Sequence, residues 1–254
     1  MLILNTPSKT QDFETKWEAV ATSAPVFQEE AAELVSYLRK LSKKELGAVL
    51  EASDSLADFN YQRYEDWKKK PAASKQKPAI LAYVGQIYQK MQPGLYTKEQ
   101  QLYAQSSARI LSGLYGVLRA YDLMQPYRLE MKARLATDTT KNLYQFWKEK
   151  VTHQLKKDLE KDSFPVVIDL ASKEYSDAVD FEQLQVPFYR IEFRQKKGTV
   201  SSIKTLYAKQ ARGLMLEYLI RCRAQSLDVV LGFHSDGYQV ITQKPHLIVF
   251  EKTL

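Results

Sequence analysis

Five short segments of this chain join small residues to a lysine, arginine, tyrosine or carboxylate: Thr6 to Thr10, Leu111 to Met131, Asp169 to Tyr175, Tyr207 to Gly213, and Gly232 to Tyr238. Their cations are Lys9, Arg119, Arg128, Lys209 and Arg212. Gathered in one cleft, these would hold phosphate groups, of a nucleic-acid backbone or of a small ligand. Glu130 could then serve as a base and Lys209 as an electrostatic stabiliser, with Tyr175 a third candidate catalytic group. The competing reading is an internal ion-pair network in which Glu130, Asp169 and Glu174 neutralise the same cations.

The densest segment is Leu111 to Met131. It holds two of the nine glycines, Gly113 and Gly116, among buried-type residues and charges. A pure core run has no use for Arg119, Arg128 and Glu130, and a pure surface loop has none for Leu114, Val117 and Leu118. The mixture predicts a turn between two helices that carries functional side chains.

Other chemistries find little support. No glycine-rich phosphate loop, dinucleotide fingerprint or Gly-x-Ser-x-Gly elbow is present. One cysteine and the scattered His153, His234 and His246 offer no zinc spacing, so no metal or other cofactor is expected. His153 is expected to be exposed on a basic helix and His246 to be structural at the head of a strand. His234 stands in a loop of functional appearance, where the structural reading is preferred. His234 and Asp236 would need further ligands to hold iron, and no spacing supplies them.

The bulk properties set the frame. At 254 residues, 44% hydrophobic and 11% aromatic, the chain can bury a large core as one domain, taken here as 1–254. Lysine and arginine total 37 against 30 acidic residues, a net charge of +7, which favours a polyanion or phosphorylated partner or serves solubility alone. Cys222 has no second cysteine to pair with and reads as a small buried residue. No signal peptide and no apolar run of membrane-spanning length is seen, so a soluble, cytoplasmic protein without a membrane partner is expected.

The elements that must position the segments follow from periodicity. Residues 2–4 and 166–170 read as buried strands, and so does Ala79 to Val84. Leu34, Val35, Leu38 and Leu41 mark an amphipathic helix, and Ser42 with Glu45 makes a capping box for the next. Thr97 with Gln100 caps a helix running to about Leu111, and Leu143 to Leu159 is the clearest amphipathic helix. Phe188 to Phe193 and Val200 to Tyr207 form a hairpin about Lys196-Lys-Gly198. Ala211 to Cys222 is helical, and a second hairpin turns at Lys244-Pro245. Strands at both ends with helices between argue for a single α+β domain, a mixed β-sheet surrounded by helices.

The five segments in this order, joined by Leu143 to Trp147 between the second and third, carry a resemblance. Leu2-Ile-Leu-x-x-Pro-x-Lys-Thr10, the 111–131 run, Leu143-Tyr-Gln-Phe-Trp147, Leu170-Ala-Ser-x-Glu-Tyr175, Tyr207-Ala-Lys-x-Ala-Arg-Gly-Leu-Met215 and the late Gly-Phe-x-x-x-Gly-Tyr resemble the YaaA family, the peroxide stress proteins of bacteria, over nearly the whole length. The resemblance implies a mixed α/β fold peculiar to the family and a role in resistance to hydrogen peroxide. It also implies an influence on intracellular free iron, and DNA binding through a helix–hairpin–helix-like element beside a basic cleft. Two positions depart from the pattern: Ser8 stands in place of alanine, and Asp169 in place of asparagine. An aspartate facing a bound polyanion would weaken binding or make it pH dependent.

On the residues themselves, the helix–hairpin–helix-like element spans about 97–124. Gly113 and Gly116 would let backbone N–H groups reach phosphate, and the second helix would present its positive N-terminus. A C-cap glycine followed by an ordinary turn fits the same residues. The expected function is a DNA-binding protein of the peroxide stress response that limits iron-dependent oxidative damage. It would bind double-stranded DNA without sequence preference in a basic cleft through Lys9, Gly113, Gly116, Arg119, Arg128, Lys209 and Arg212. The alternative is an enzyme acting on a small phosphorylated or nucleotide-like ligand in the same cleft.

Overall fold

The opening Leu-Ile-Leu-Asn run is apolar on both faces and forms a fully buried strand, β1 (Leu2–Asn5). The computed structural model describes residues 1–254. Three helices follow, α1 (Gln28–Lys40), α2 (Lys43–Val49) and α3 (Asp54–Asp66). The second opens on the expected capping box: the Ser42 hydroxyl accepts the Glu45 N–H, and the Glu45 carboxylate accepts the Ser42 N–H. After β2 (Lys77–Pro78), the Ala79 run expected as a strand is instead a short helix, α4 (Ala79–Ala82), and only Tyr83 bridges to another strand-like residue, Gln11. An apolar run this short fits either state, and burial on all sides removes the periodicity that would separate them.

Helix α5 (Lys98–Ser107) opens on the expected Thr97–Gln100 capping box but stops before the expected end at Leu111. The chain passes without a break into β3 (Ala108–Ser112), turns, and returns as β4 (Gly116–Arg119), with a short β5 (Leu123–Met124) beyond. The element expected as helix–hairpin–helix is therefore one helix followed by a β-hairpin, and the second helix does not exist. Gly113 and Gly116 sit in the tight turn of that hairpin. Gly116 has φ +66°, and a Cβ there would strike the buried Trp147 ring.

The remainder runs α6 (Leu143–Leu159), β6 (Val167–Asp169), α7 (Lys173–Ser176), β7 (Phe188–Lys197), β8 (Val200–Ser202), α8 (Thr205–Cys222), α9 (Leu227–Leu231), β9 (Gln239–Lys244) and β10 (His246–Thr253). Both late hairpins form, although β8 ends at Ser202 and the residues to Tyr207 already belong to the approach and first turn of α8. His246 is exposed and stacks on Phe188 with ring centroids 4.1 Å apart. Cys222 is exposed, contrary to expectation: it continues the spacing of the buried Ala211, Met215 and Leu219 but stands at the last residue of α8, where the helix ends.

One mixed sheet organises the domain, in the order β4-β3-β1-β6-β7-β10-β9, with β8 added to β7. Strands β3, β1, β6, β7 and β10 are mutually parallel, and β4, β8 and β9 are antiparallel additions. The α+β class with helices around a mixed sheet is thus the observed one. Strand β1 lies between β3 and β6, so its carboxyl end at Asn5 is flanked by the carboxyl ends of both neighbours. Open sheets with parallel strands place ligand sites just beyond such ends. No helix is long and apolar enough to cross a membrane.

Candidate functional site

A cleft of about 540 Å³ opens beyond the carboxyl ends of β1 and β6. Its walls come from four separate stretches: Thr6 to Lys9 after β1, Gly85 to Tyr88, Ser172 to Tyr175 after β6, and Lys209 with Arg212 on α8, with Glu130 completing the ring. A small recess beside it, bounded by Ser8, Gln11, Tyr127, Arg128 and Glu130, shares Lys9 and Tyr175 with the cleft.

Each wall is fixed by local chemistry. Pro7 ends β1, and the Thr6 loop is tied to the loop after β6 by the Ser172 N–H, which donates to the Thr6 hydroxyl at 2.7 Å. The Tyr88 hydroxyl donates to the Thr6 carbonyl at 2.9 Å. Lys209 and Arg212 are three residues apart, so they share one face of α8 while Ala208, Ala211 and Met215 are buried. A Cβ at Gly213 would overlap the Ile87 carbonyl, so glycine there is what lets α8 close against the 85–88 wall. Gln210 donates to the Gln86 side chain at 3.1 Å across the same contact.

The electrostatics are mixed rather than purely basic. Lys9 Nζ lies 2.7 Å from Glu130 Oε1, and Arg128 Nε lies 3.4 Å from the same oxygen. These are ion pairs by distance, yet neither Glu130 oxygen accepts a well-aligned hydrogen bond, and Arg128 Nε donates none. The Glu130 side chain is only 8% exposed. Arg212 Nε is likewise buried without a partner, and burial pulls the Arg212 guanidinium below its ordinary value against the support of Asp169. Burial raises the Glu174 carboxyl, helped by Glu130 and opposed by Lys132 and Lys9. Burial also holds the Tyr175 phenol protonated well above its ordinary range, with Tyr127, Glu174 and Glu130 adding to the effect. A protonated phenol and a buried carboxylate can donate to and accept from a ligand, and the two arginines and Lys209 can receive its negative charge.

Of the sequence-predicted residues, Lys9, Glu130, Tyr175, Lys209 and Arg212 meet in the cleft, and Arg128 lines the recess beside it. Three do not. Arg119 ends β4 at the opposite, amino-terminal end of the sheet, in a separate depression with Arg109, Asp158 and the chain's first residue. Gly113 packs against the backbone of Leu129 and its carbonyl accepts the Trp147 indole N–H at 2.8 Å; Gly116 lies under the same indole. The Ser112 hydroxyl caps that turn by accepting the N–H groups of Leu114 and Tyr115. Neither glycine can bring its backbone to a phosphate, because the turn is buried.

The Gly232 to Tyr238 loop stands apart from the cleft as well. Phe233 and Tyr238 pack on Phe193, Asp236 pairs with Lys252 at 2.9 Å, and His234 Nδ1 lies 2.9 Å from the Gly232 carbonyl. No group of three or more His, Cys, Asp or Glu side chains is arranged to hold a metal ion. Asp169 does not face the cleft. It is buried, accepts the Ser176 hydroxyl at 2.8 Å and the Ala171 N–H at 3.0 Å, and lies 3.4 Å from Arg190. Burial raises its carboxyl above the ordinary value despite these bonds.

The sequence reading missed the Gly85 to Tyr88 wall and Asn5. Gly85 stands at the end of an apolar run that reads as a strand, and only its abrupt halt hints at a loop. Asn5 is fully buried at the end of β1, and neither its amide oxygen nor its nitrogen has a partner.

Comparison with known proteins places these features in a family context. The family model described as "Peroxide stress protein YaaA" matches residues 1–244. A UPF0246 protein of Albidiferax ferrireducens is 38% identical over 254 residues, covering 99% of this chain and 98% of its own. A UPF0246 protein of Bordetella avium is 39% identical over 238 residues, covering 94% and 93%. One of Crocosphaera subtropica is 36% identical over 238 residues, covering 94% of each.

Proposed function

Because the chain belongs to the peroxide stress protein YaaA family, we propose that it serves the peroxide response by binding a small phosphorylated or nucleotide-like ligand in the cleft beyond β1 and β6. The observation that carries this reading is the pairing of a desolvated arginine with a buried carboxylate inside one small cleft. Arg212 Nε lacks a partner, and Glu130 lies across the same space with both oxygens without aligned donors. A volume of about 540 Å³ falls within the range of small-molecule sites, roughly 300–1,000 Å³. A surface that only follows a phosphodiester backbone gains nothing from Glu130 and Glu174, whose charges repel it.

A second reading keeps double-stranded DNA as the partner. In its favour are the net charge of +7 and the exposed Lys9, Lys173 and Lys209 around the cleft mouth. On this reading phosphates rest on the rim without base readout, and the protein shields DNA from iron-derived radicals.

Lys209→Ala and Arg212→Met, each compared with the parent for DNA affinity across salt and for survival of peroxide in cells, separate the two. Loss of survival with DNA affinity and its salt slope intact supports the small ligand. A parallel loss of both properties supports the backbone, and unchanged survival in both variants removes the cleft from the peroxide role.

A further inference from the structure

Every buried side-chain polar atom without a partner, apart from the Tyr121 hydroxyl, belongs to Asn5, Arg128, Glu130 or Arg212. Native proteins leave few such groups unmatched, because each one forfeits the hydrogen bonds it made to water. Arg128, Glu130 and Arg212 line one cleft and its recess, and their chemistry is not uniform. The arginines can only donate, whereas the ionised Glu130 can only accept. A simple anion such as phosphate would satisfy the guanidinium groups and leave Glu130 worse off than before. The occupant that satisfies both must carry a negative group at one end and hydrogen-bond donors at the other.

Glu130 narrows the donors further. Its two oxygens lie at 8% side-chain exposure, held in place by Arg128 on one side and covered by the flexible, 59% exposed Lys9 on the other. A carboxylate with both oxygens open to one ligand is satisfied by two adjacent donors. The vicinal hydroxyls of a ribose present such a pair, and so do the neighbouring N–H groups of a guanine edge. Lys9 is the group that must give way, and it reaches the carboxylate from solvent.

Resting on the small-ligand reading of the cleft, we propose that its ligand is a phosphorylated nucleoside whose phosphate is received by Arg212 and Lys209 and whose two adjacent donors are read by Glu130, with Lys9 covering that carboxylate until the ligand replaces it.

Calorimetric titration of the full chain with GMP, AMP, 2′-deoxy-GMP and 2′-deoxy-AMP tests this. A 2′-deoxy sugar loses one of the two hydroxyl donors and adenine lacks the adjacent N–H pair of guanine, and even one charge-assisted hydrogen bond lost should separate the ligands by about ten- to hundredfold in Kd. Tighter binding of both ribonucleotides assigns the donors to the diol. Tighter binding of both guanine nucleotides assigns them to the base edge. In either case Glu130→Gln, which turns one acceptor into a donor, should erase the preference, while Arg212→Met should weaken all four ligands alike. Circular dichroism and thermal melting of both variants show whether each is folded, and Lys9→Ala, altered at an exposed position, should retain the preference. Equal binding of the four, or a preference that survives Glu130→Gln, overturns the inference and leaves the phosphate site standing. Failure of all four to bind overturns the small-ligand reading and the inference with it.

Discussion

Lys77 Nζ lies 3.0 Å from Asp12 Oδ2, on a lysine side chain that is only 3% exposed. The same ammonium donates to the Thr15 carbonyl at 3.1 Å. Asp12 in turn accepts the N–H groups of Glu14 and Thr15. Together with the bridge between Gln11 and Tyr83, this pair anchors the far end of the loop that carries Lys9 into the cleft.

The anchor has a pH signature. Hydrogen bonds from Thr15, ahead of those from Lys77 and Glu14, hold the Asp12 carboxyl well below its ordinary value of 3.8. A depressed folded value contributes stability that is present above the unfolded value and lost as pH falls through the folded one. Asp12→Asn should therefore cost about 1–2 kcal/mol at pH 7, discounted for the water that reaches Asp12. The difference from the parent should shrink below about pH 4. Urea unfolding at a series of pH values checks this; a difference that persists unchanged at the acid end contradicts it.

Glu174 offers a test of cleft electrostatics with a probe whose own charge is constant. Its raised carboxyl takes up a proton at higher pH than an ordinary glutamate, and each proton taken up removes a negative charge from the cleft. Sulfate affinity should rise as pH falls from 7 towards 5. Glu174→Gln should bind sulfate about three- to tenfold more tightly at pH 7 and flatten the profile. Parallel profiles for parent and variant would count against the assignment.

Asp169 acts on the same site from behind. It supports the charge of Arg212 without lining the cleft. Replacing it by asparagine keeps one acceptor oxygen, which the Ala171 N–H and the Ser176 hydroxyl can share, while removing the opposing charge. Stability should stay within about 1 kcal/mol of the parent, since a charge is withdrawn from the interior. Sulfate affinity should rise a few-fold, measured by calorimetry. A fall in affinity would mean that Asp169 orients Arg212 rather than competing for it.

Gly213 is the point of close approach between α8 and the 85–88 wall. Gly213→Ala forces a Cβ into the Ile87 carbonyl and should lower stability by about 1–3 kcal/mol. It should also weaken ligand binding by displacing Lys209 and Arg212 from the 85–88 wall. Gly94→Ala, where an added Cβ meets nothing within 4 Å, is the matched control and should melt close to the parent.

Much of this was readable from residue types. The capping boxes at Ser42 and Thr97 and the strands at residues 2–5 and 167–169 follow from local chemistry, and local chemistry survives into the fold. Small residues beside charges at strand ends singled out Lys9, Glu130, Tyr175, Lys209 and Arg212, but their convergence was conditional until the fold brought them together. The failures share one cause. At Ala108 and at Ala79 the chain is buried, so hydrophobicity carries no period; no glycine or proline marks the change of state at Ala108, and Pro78 before Ala79 suits the start of a strand or of a helix alike. Gly113 and Gly116 looked available for phosphate because their types permit close approach. The close approach they make is to Leu129 and Trp147. Asn5 gave no signal, since an asparagine after an apolar run reads as the end of a strand rather than as a buried, unmatched amide.

The cleft draws its walls from residues 6–9, 85–88, 130, 172–175 and 209–212, so hardly any of it is local in sequence. Loop-closure entropy must be met for every one of those separations before the ring is complete. The shape of the cleft is accordingly acquired late in folding. A protein of the peroxide stress family thereby carries a cleft that is complete only when distant stretches of its chain have folded together.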